Sequence, residues 1–225
     1  MTRTARSSLR VVGLDLAGSS TRRTGFCTLN EHFVCHTAVL HTDDEIARAV
    51  TAAAPSIVSI DAPLFLPKGR RSLEDRGPPH FRECDRELLR MRIKFFPISL
   101  GPMRKLTARG MALRSLFEAR GLPVIESFPG AIQDILGMPR KQRGLEKLRS
   151  ALLEYGIRGD ISKEGITDDE LDAVTSAIVG KLYLDGNYRA IGDPDEGVMI
   201  LPRAANQIST HLPLRLTPRR KGSRP

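Results

Sequence analysis

Apolar residues cluster early in the chain into short, β-branched-rich segments with the length of β-strands. We predict strands over Arg10–Ala17, Thr24–Asn30, Phe33–Leu40 and Ser56–Ala62. The second and third segments are separated by a short polar connection typical of a hairpin, so the first three strands should form an antiparallel meander. A helical stretch begins after the N-cap residue Thr42 and ends before Pro55, which makes a crossover to the fourth strand and predicts parallel pairing.

Helical periodicity dominates the rest of the chain. We predict helices over residues 80–94, Thr107–Arg120 and 145–155, and a last one beginning at Thr167, with one further strand over Pro123–Phe128. This order predicts an α/β fold with a mixed five-stranded sheet, made of three antiparallel and two parallel strands, and with helices on both faces.

The chain is long enough for one domain with an insertion, since it has 225 residues, of which 40% are hydrophobic and 27% charged. We predict one domain over residues 10–203 with a basic helical insertion around 64–106. Basic tails should precede and follow it over 1–9 and 204–225, the second of them disordered.

The net charge of +9 is distributed unevenly. Residues 68–149 hold nineteen basic and nine acidic side chains, and acidic segments flank them on both sides. A basic segment of this kind suits a polyanionic partner such as nucleic acid. No apolar run approaches the ~20 residues that cross a bilayer, and no signal-peptide core follows the N-terminus, so we expect a cytoplasmic protein without membrane contact. The three cysteines lack the spacing of metal ligands and are expected to be buried free thiols.

Carboxylates recur where predicted strands end and where the last helix begins. They are Asp15, Asp61, Glu126, Asp169 and Asp172. Functional sites of open α/β sheets gather at the carboxyl ends of strands, and the two helix acids share one helix face. Converging carboxylates repel each other, and a divalent cation such as Mg²⁺ or Mn²⁺ would relieve this repulsion. We therefore predict a catalytic site from all five acids, with Asp15, Asp61, Asp169 and Asp172 as metal ligands.

Each acid also has a structural interpretation. Asp169 can interact with the helix dipole, Asp61 can form a turn before Pro63, and Glu126 can pair with a buried arginine. Asp15 is the hardest to explain in this way, because an ionised carboxylate inside an apolar strand needs a partner.

Six segments carry a resemblance that extends over about residues 10–202. They are "GLDLA", "SIDAPLFLP", "FRECDRELL", "VIESFPGAI", "DDELDAVTSAIV" and "DEGVMILP". In this order the chain resembles domain of unknown function family 429, a predicted nuclease family with a ribonuclease H-like fold, and it is similar to Holliday-junction resolvases of the same superfamily. The resemblance implies a ribonuclease H-like core in which Asp15, Asp61, Asp169 and Asp172 bind metal and Glu126 occupies a further acidic position.

Arginines of the basic segment are expected to contact phosphates. The predicted set is Arg70, Arg71, Arg82, Arg86 and Arg90, of which the last three recur at helical spacing. The chain has eight Phe, three Tyr and no Trp, so stacking surfaces for single strands are few, and structured or duplex nucleic acid is favoured.

Two other functions remain open. A nucleotide phosphate-binding or hydrolysing protein of the actin-like superfamily could use the glycines of "DLAGSSTRRTG". A non-catalytic nucleic-acid-binding protein could retain the fold without the chemistry. The sequence leaves the oligomeric state undetermined.

Overall fold

Eight strands form one mixed sheet in the computed structural model of the protein, which describes residues 9–203. The strands of this part are β1 (Arg10–Asp15), β2 (Thr24–Asn30), β3 (Val34–Leu40), β4 (Ile57–Asp61), β5 (Val124–Ser127), β6 (Arg158–Gly159), β7 (Tyr188–Asp193) and β8 (Gly197–Pro202). The helices are α1 (Asp43–Ala53), α2 (Glu83–Arg90), α3 (Gly101–Glu118), α4 (Pro129–Ile135), α5 (Leu145–Tyr155) and α6 (Asp168–Leu184). The predicted tail over 204–225 lies outside the described residues.

The sheet has the strand order β6-β3-β2-β1-β4-β5-β8-β7. Strands β1 to β3 form the predicted antiparallel meander, and β4 and β5 continue the sheet in parallel to β1. The predicted count of five strands is wrong, because β6 pairs with β3 and the hairpin β7–β8 extends the sheet beside β5. The hairpin was missed because its two short strands follow the last long helical pattern without a strong alternation of their own.

Helices cover both faces of the sheet, as predicted. On one face α6 packs over the central strands, with Val11, Ile57 and Ile125 beneath it. On the other face α1 and α3 pack against Val12 and Ile60. Since side chains alternate along a strand, these two sets show which face each neighbouring residue occupies.

Two helices differ from their predicted bounds, and a third was not predicted. The helix predicted over 80–94 is limited to α2, and α3 begins at Gly101 rather than at Thr107. Helix α4 was not predicted; it starts at Pro129, directly after β5, where proline suits the first helical turn. The predicted N-caps Thr42 and Thr167 are confirmed, since both form capping boxes. All three cysteines are buried free thiols, as expected.

Two glycines let α6 lie directly on β1 and β2. A Cβ atom on Gly13 would lie 2.1 Å from the carbonyl oxygen of Ala173, and one on Gly25 would lie 1.9 Å from the carbonyl oxygen of Asp169. Any larger residue would force the helix away from the sheet. The first turns of α6 therefore reach the carboxyl end of β1 only because these positions lack side chains.

Gly13→Ala should lower the free energy of unfolding by about 2–4 kcal/mol, because the new methyl group collides with helix backbone that cannot rotate away. Urea denaturation measures the change. Gly77→Ala is the matched control, since no atom lies within 4 Å of a Cβ there. Equal stability of the two variants would contradict the close approach of α6.

No helix within residues 9–203 combines the length and the apolar character needed to span a bilayer.

Candidate active site

Two carboxylates stand side by side where neighbouring parallel strands end. Asp15 is the last residue of β1 and Asp61 the last residue of β4, and the two are register partners. Both follow the alternation of Val11 and Ile57, so their side chains leave the sheet on the face covered by α6. The sequence-based prediction that Asp15 and Asp61 emerge close together is confirmed by this pairing.

Helix α6 adds further carboxylates to this edge. Asp172 is 5% exposed and lies one turn into the helix. Asp169 stands one turn earlier, where Arg23 Nε lies 3.1 Å from its Oδ2 atom. The adjacent Glu170 has a structural role instead, because it completes the capping box of α6 and accepts hydrogen bonds from Thr37 and Lys163.

The carboxylates act on each other electrostatically. Burial, followed by the charge of Asp172, raises the pKa of Asp15 to about 7. Burial and the charges of Asp15 and Asp172 also raise the pKa of Asp61 well above its usual value. The pKa of Asp169 is raised by burial and by Asp168. These effects show that Asp15, Asp61 and Asp169 lie in an environment that disfavours negative charge and that the charge of Asp172 contributes to it.

A lysine lies among these acids. Lys141 Nζ is 2.8 Å from Asp172 Oδ2, 3.8 Å from Asp15 Oδ2 and 3.7 Å from Asp168 Oδ2. Burial disfavours the charged ammonium, but the charges of Asp172 and Asp15 outweigh it and raise the pKa of Lys141. Lys141 is therefore a fixed cation that compensates part of the negative charge.

A buried amide positions one of the carboxylates. Gln133 of α4 is 1% exposed, and its Nε2 donates to Asp172 Oδ1 over 2.7 Å and to Thr175 Oγ1 over 3.3 Å. Asp172 thus has one oxygen held by an amide and the other by the Lys141 ammonium. This arrangement fixes the side chain in front of the ends of β1 and β4.

The donor chemistry fits a hard divalent cation. All the acids offer oxygen ligands, and within residues 9–203 no hydrogen-bond donor reaches the Asp61 carboxylate. Next to Asp61 on β5, the buried Ser127 Oγ likewise has no hydrogen-bond partner. Across the same residues, however, no three His, Cys, Asp or Glu side chains already stand in coordinating geometry. In this arrangement Asp15 and Asp172 contact the Lys141 ammonium, and Asp169 contacts the Arg23 guanidinium.

Asp15→Asn should change how stability depends on pH in the absence of divalent ions. The folded-state pKa of about 7 lies above the ordinary value near 3.9, so the folded protein binds more protons between these values and loses stability as pH rises through them. Between pH 5 and pH 8, the free energy of unfolding of the variant should fall by on the order of 2 kcal/mol less than that of the wild type.

Urea denaturation at the two pH values measures this difference. Asp44→Asn, a change at an exposed carboxylate of α1, is the control and should follow the wild type. If the stability of Asp15→Asn depended on pH as that of the wild type does, the Asp15 charge would be fully compensated in the fold.

Glu126 lies outside the carboxylate cluster. It precedes Ser127 on β5, so its side chain leaves the opposite face of the sheet from Asp61. Its Oε2 accepts hydrogen bonds from Arg82 Nη1 at 2.7 Å and from the Leu64 backbone amide at 2.8 Å. The alternative interpretation, in which Glu126 pairs with a buried arginine, is confirmed, and the geometry does not bring Glu126 into the carboxylate cluster that its predicted catalytic role requires.

Two of the predicted phosphate contacts, Arg70 and Arg82, are buried and bonded inside the protein. Arg82 is 2% exposed and binds both Asp85 and Glu126, so it has no surface to offer a ligand. Arg70 is 7% exposed and donates to four backbone carbonyls of the loop over residues 72–79. The guanidinium groups of both arginines donate hydrogen bonds to other groups of the protein. The other three predicted phosphate contacts, Arg71, Arg86 and Arg90, are exposed and stay predictions. Arg86 and Arg90 both form ion pairs with Glu83.

An open cleft of about 720 Å³ adjoins the carboxylates. Asp15 and Asp169 line one side, and the loop between β1 and β2 and the first turn of α3 line the rest. Its cationic side chains are Arg22, Arg23, Arg104, Lys105 and Lys141. Except for Arg23 and Lys141, these cations form no ion pair within residues 9–203, so the cleft can attract an anion beside the acids.

Sequence reasoning missed Gln133, Lys141 and the basic rim of this cleft. A glutamine in an amphipathic helix and a lysine in a basic segment have no distinguishing pattern. The glycines at 13 and 25, each inside a β-strand, were an available signal, because glycine in a strand marks a close backbone approach.

No protein-family model and no curated protein sequence matches the chain, so the resemblance to domain of unknown function family 429 is not confirmed. Two solved structures of RuvC from Thermus thermophilus are similar to it. RuvC in complex with a Holliday junction substrate is 12% identical with a TM-score of 0.46, over 79% of this chain and 96% of that chain. A second RuvC structure is 14% identical with a TM-score of 0.42, over 79% of this chain and 97% of that chain.

Proposed function

We propose that the protein is a divalent-metal-dependent nuclease that hydrolyses phosphodiester bonds with water as the nucleophile. The observation that carries this proposal is the register pairing of Asp15 with Asp61, together with their electrostatic coupling to Asp172. Core packing does not explain why three carboxylates lie in one desolvated environment. A site that binds a cation explains it, because the cation compensates their charge.

The same proposal assigns a ribonuclease H-like core to the chain. The five central strands have the order β3-β2-β1-β4-β5, the first three of them antiparallel, and α6 crosses β1 with its acids at the strand ends. The strands added at the two sides, β6 and the β7–β8 hairpin, leave this central arrangement intact.

Mg²⁺ or Mn²⁺ would be held by Asp15, Asp61 and Asp172, with Asp169 as a further ligand. When bound, the ion would lower the pKa of a bound water and neutralise charge on the phosphate. Gln133 is a positioning residue, because its amide holds Asp172 without belonging to the ligand set.

Lys141 has two roles in this proposal. Without a divalent ion its ammonium compensates the carboxylates, as the contacts with Asp15 and Asp172 show. Lys141 also lines the adjacent cleft, where its ammonium would be able to donate to a phosphate oxygen if a divalent ion took over the compensation of the acids.

Nucleic acid is the substrate that suits the surroundings of the site. Arg22, Arg104 and Lys105 line the cleft that opens beside Asp15. These cations offset the repulsion that a phosphate meets on approaching carboxylates. Contacts of this kind hold the backbone without reading base sequence, so we expect little sequence preference at this position.

Labelled nucleic acids incubated with Mg²⁺, Mn²⁺ or a chelator test the proposal. The panel contains linear duplex DNA, duplex RNA, single strands and a branched junction. We expect cleavage with either metal and none with the chelator. Binding without cleavage under all metal conditions would instead support the non-catalytic nucleic-acid-binding alternative.

The cleft also supports a second function. Its volume of about 720 Å³ and its basic rim suit a nucleotide phosphate, as in the actin-like alternative. Mg²⁺-dependent release of phosphate from a nucleoside triphosphate, without cleavage of any nucleic acid, would favour that function over the nuclease.

A further inference from the structure

A second basic cleft, of about 450 Å³, opens close to the candidate active site. It is formed by the end of α4 with the turn after it and by the segment after α2. The residues that line it are Arg92, Lys94, Asp134, Gly137, Met138, Arg140 and Arg143.

The charge of this cleft is largely uncompensated. Its only acidic lining residue, Asp134, is already bound by Arg140 through two hydrogen bonds of 3.0 and 2.5 Å. Arg92, Lys94 and Arg143 are exposed and form no ion pair within residues 9–203. Three free cations on one concave surface indicate a site for an anion.

The two clefts meet at one short turn. Arg140 and Arg143 line the second cleft, while Lys141 between them lines the first and contacts the carboxylates. Neighbouring Cα atoms along the chain are only about 3.8 Å apart. The carboxylate cluster therefore has unpaired cations on both sides of the turn.

A second segment also connects the clefts. Arg92 and Lys94 line the second cleft, and the first turn of α3, from Gly101 onward, lines the first. Phe96, which is 70% exposed, lies between these residues in the sequence. An exposed aromatic ring on this segment offers a face on which an unpaired base can stack.

We propose that the second cleft binds a backbone phosphate of a nucleic acid whose neighbouring segment lies over the carboxylates, so that the substrate is a polymer extending across both clefts. This inference rests on the proposed function and narrows it. A mononucleotide fills the first cleft alone and leaves the second without a ligand. A polymer brings successive phosphates, and its repulsion by the acids is offset by cations on both sides.

The test measures binding by the full-length chain with Asp15→Asn as the background, which prevents cleavage during the measurement. A triple variant, Arg92→Gln with Lys94→Gln and Arg143→Gln, removes the free cations of the second cleft. A charge-matched control carries Arg48→Gln, Arg120→Gln and Arg203→Gln, which are exposed and line neither cleft. The probes are a labelled DNA duplex, its RNA counterpart and a nucleoside triphosphate.

We expect the triple variant to bind the preferred duplex about tenfold more weakly, or worse, near 0.1 M salt. The slope of log affinity against log salt should become shallower by about 0.9, since that is the contribution of the one phosphate contact that is lost. Affinity for the nucleoside triphosphate should stay within about twofold.

Equal duplex affinity and slope in the triple variant and the charge-matched control would overturn the inference. Cleavage assays in the otherwise wild-type background separate this failure from that of the proposed function. Metal-dependent cleavage with an unaffected triple variant retains the nuclease and rejects the second cleft. Loss of binding in the triple variant without any wild-type cleavage supports the cleft and rejects the nuclease. Binding of the nucleoside triphosphate alone rejects both.

Discussion

Asp15→Asn should reduce metal-dependent cleavage by at least about 10³-fold, which corresponds to about 4 kcal/mol of transition-state stabilisation. The asparagine keeps the shape of the side chain but removes the charge that would bind the cation at the end of β1. Initial rates at saturating Mg²⁺, with the substrate preferred in the panel, measure the effect. Folding should be retained, because the change removes a carboxyl group whose pKa is already raised by burial.

Asp44→Asn is the control, because Asp44 is an exposed acid in the first turn of α1 and does not belong to the carboxylate cluster. Its rate should equal that of the wild type. Asp61→Asn and Asp172→Asn should reproduce the loss if the three acids act as one site. Cleavage that persists in Asp15→Asn at the wild-type rate would reject the assigned role of Asp15.

Arg82→Met should destabilise the fold by about 3–5 kcal/mol, because it leaves the carboxylates of Asp85 and Glu126 buried without their partner. The side chains of all three residues are almost completely inaccessible to water. The methionine fills part of the space but donates no hydrogen bond. Urea denaturation near neutral pH gives the loss.

Arg86→Met provides the matched control on the same helix. Arg86 is exposed, and its Nη1 lies 3.5 Å from Glu83 Oε2. An exposed ion pair of this kind contributes little to the stability of a protein in water. We expect a change below about 0.5 kcal/mol for this variant. If Arg82→Met were as stable as the wild type but bound nucleic acid more weakly, this result would support the predicted phosphate contact at Arg82.

The internal lysine explains how the acid cluster is tolerated in the fold without a divalent ion. Asp15, Asp61 and Asp172 would otherwise bring several negative charges into a desolvated environment without compensation. The Lys141 ammonium lies within 4 Å of Asp15 and Asp172, and Gln133 donates to the second oxygen of Asp172. If a divalent ion bound to these acids, as we propose, it would take over the charge compensation that Lys141 provides here.

Local patterns in the sequence were sufficient for the central part of the fold. Alternating and β-branched segments predicted β1 to β5, and the N-cap residues Thr42 and Thr167 marked the starts of α1 and α6. Parallel pairing of β1 with β4 followed from the crossover helix, so the neighbourhood of Asp15 and Asp61 could be inferred. These features depend on the period of side-chain alternation and on local backbone preferences, which are written in consecutive residues.

The partners of each charged side chain were decided by the tertiary structure. Glu126 carries the same local signal as Asp61, an acid near the end of an apolar strand, but the alternation of side chains directs it to the opposite face and to Arg82. Lys141 joins the acids although it is distant from all of them in sequence. Ion pairs between remote residues depend on how the helices pack on the sheet, and that packing is a long-range property which no segment of the chain encodes alone.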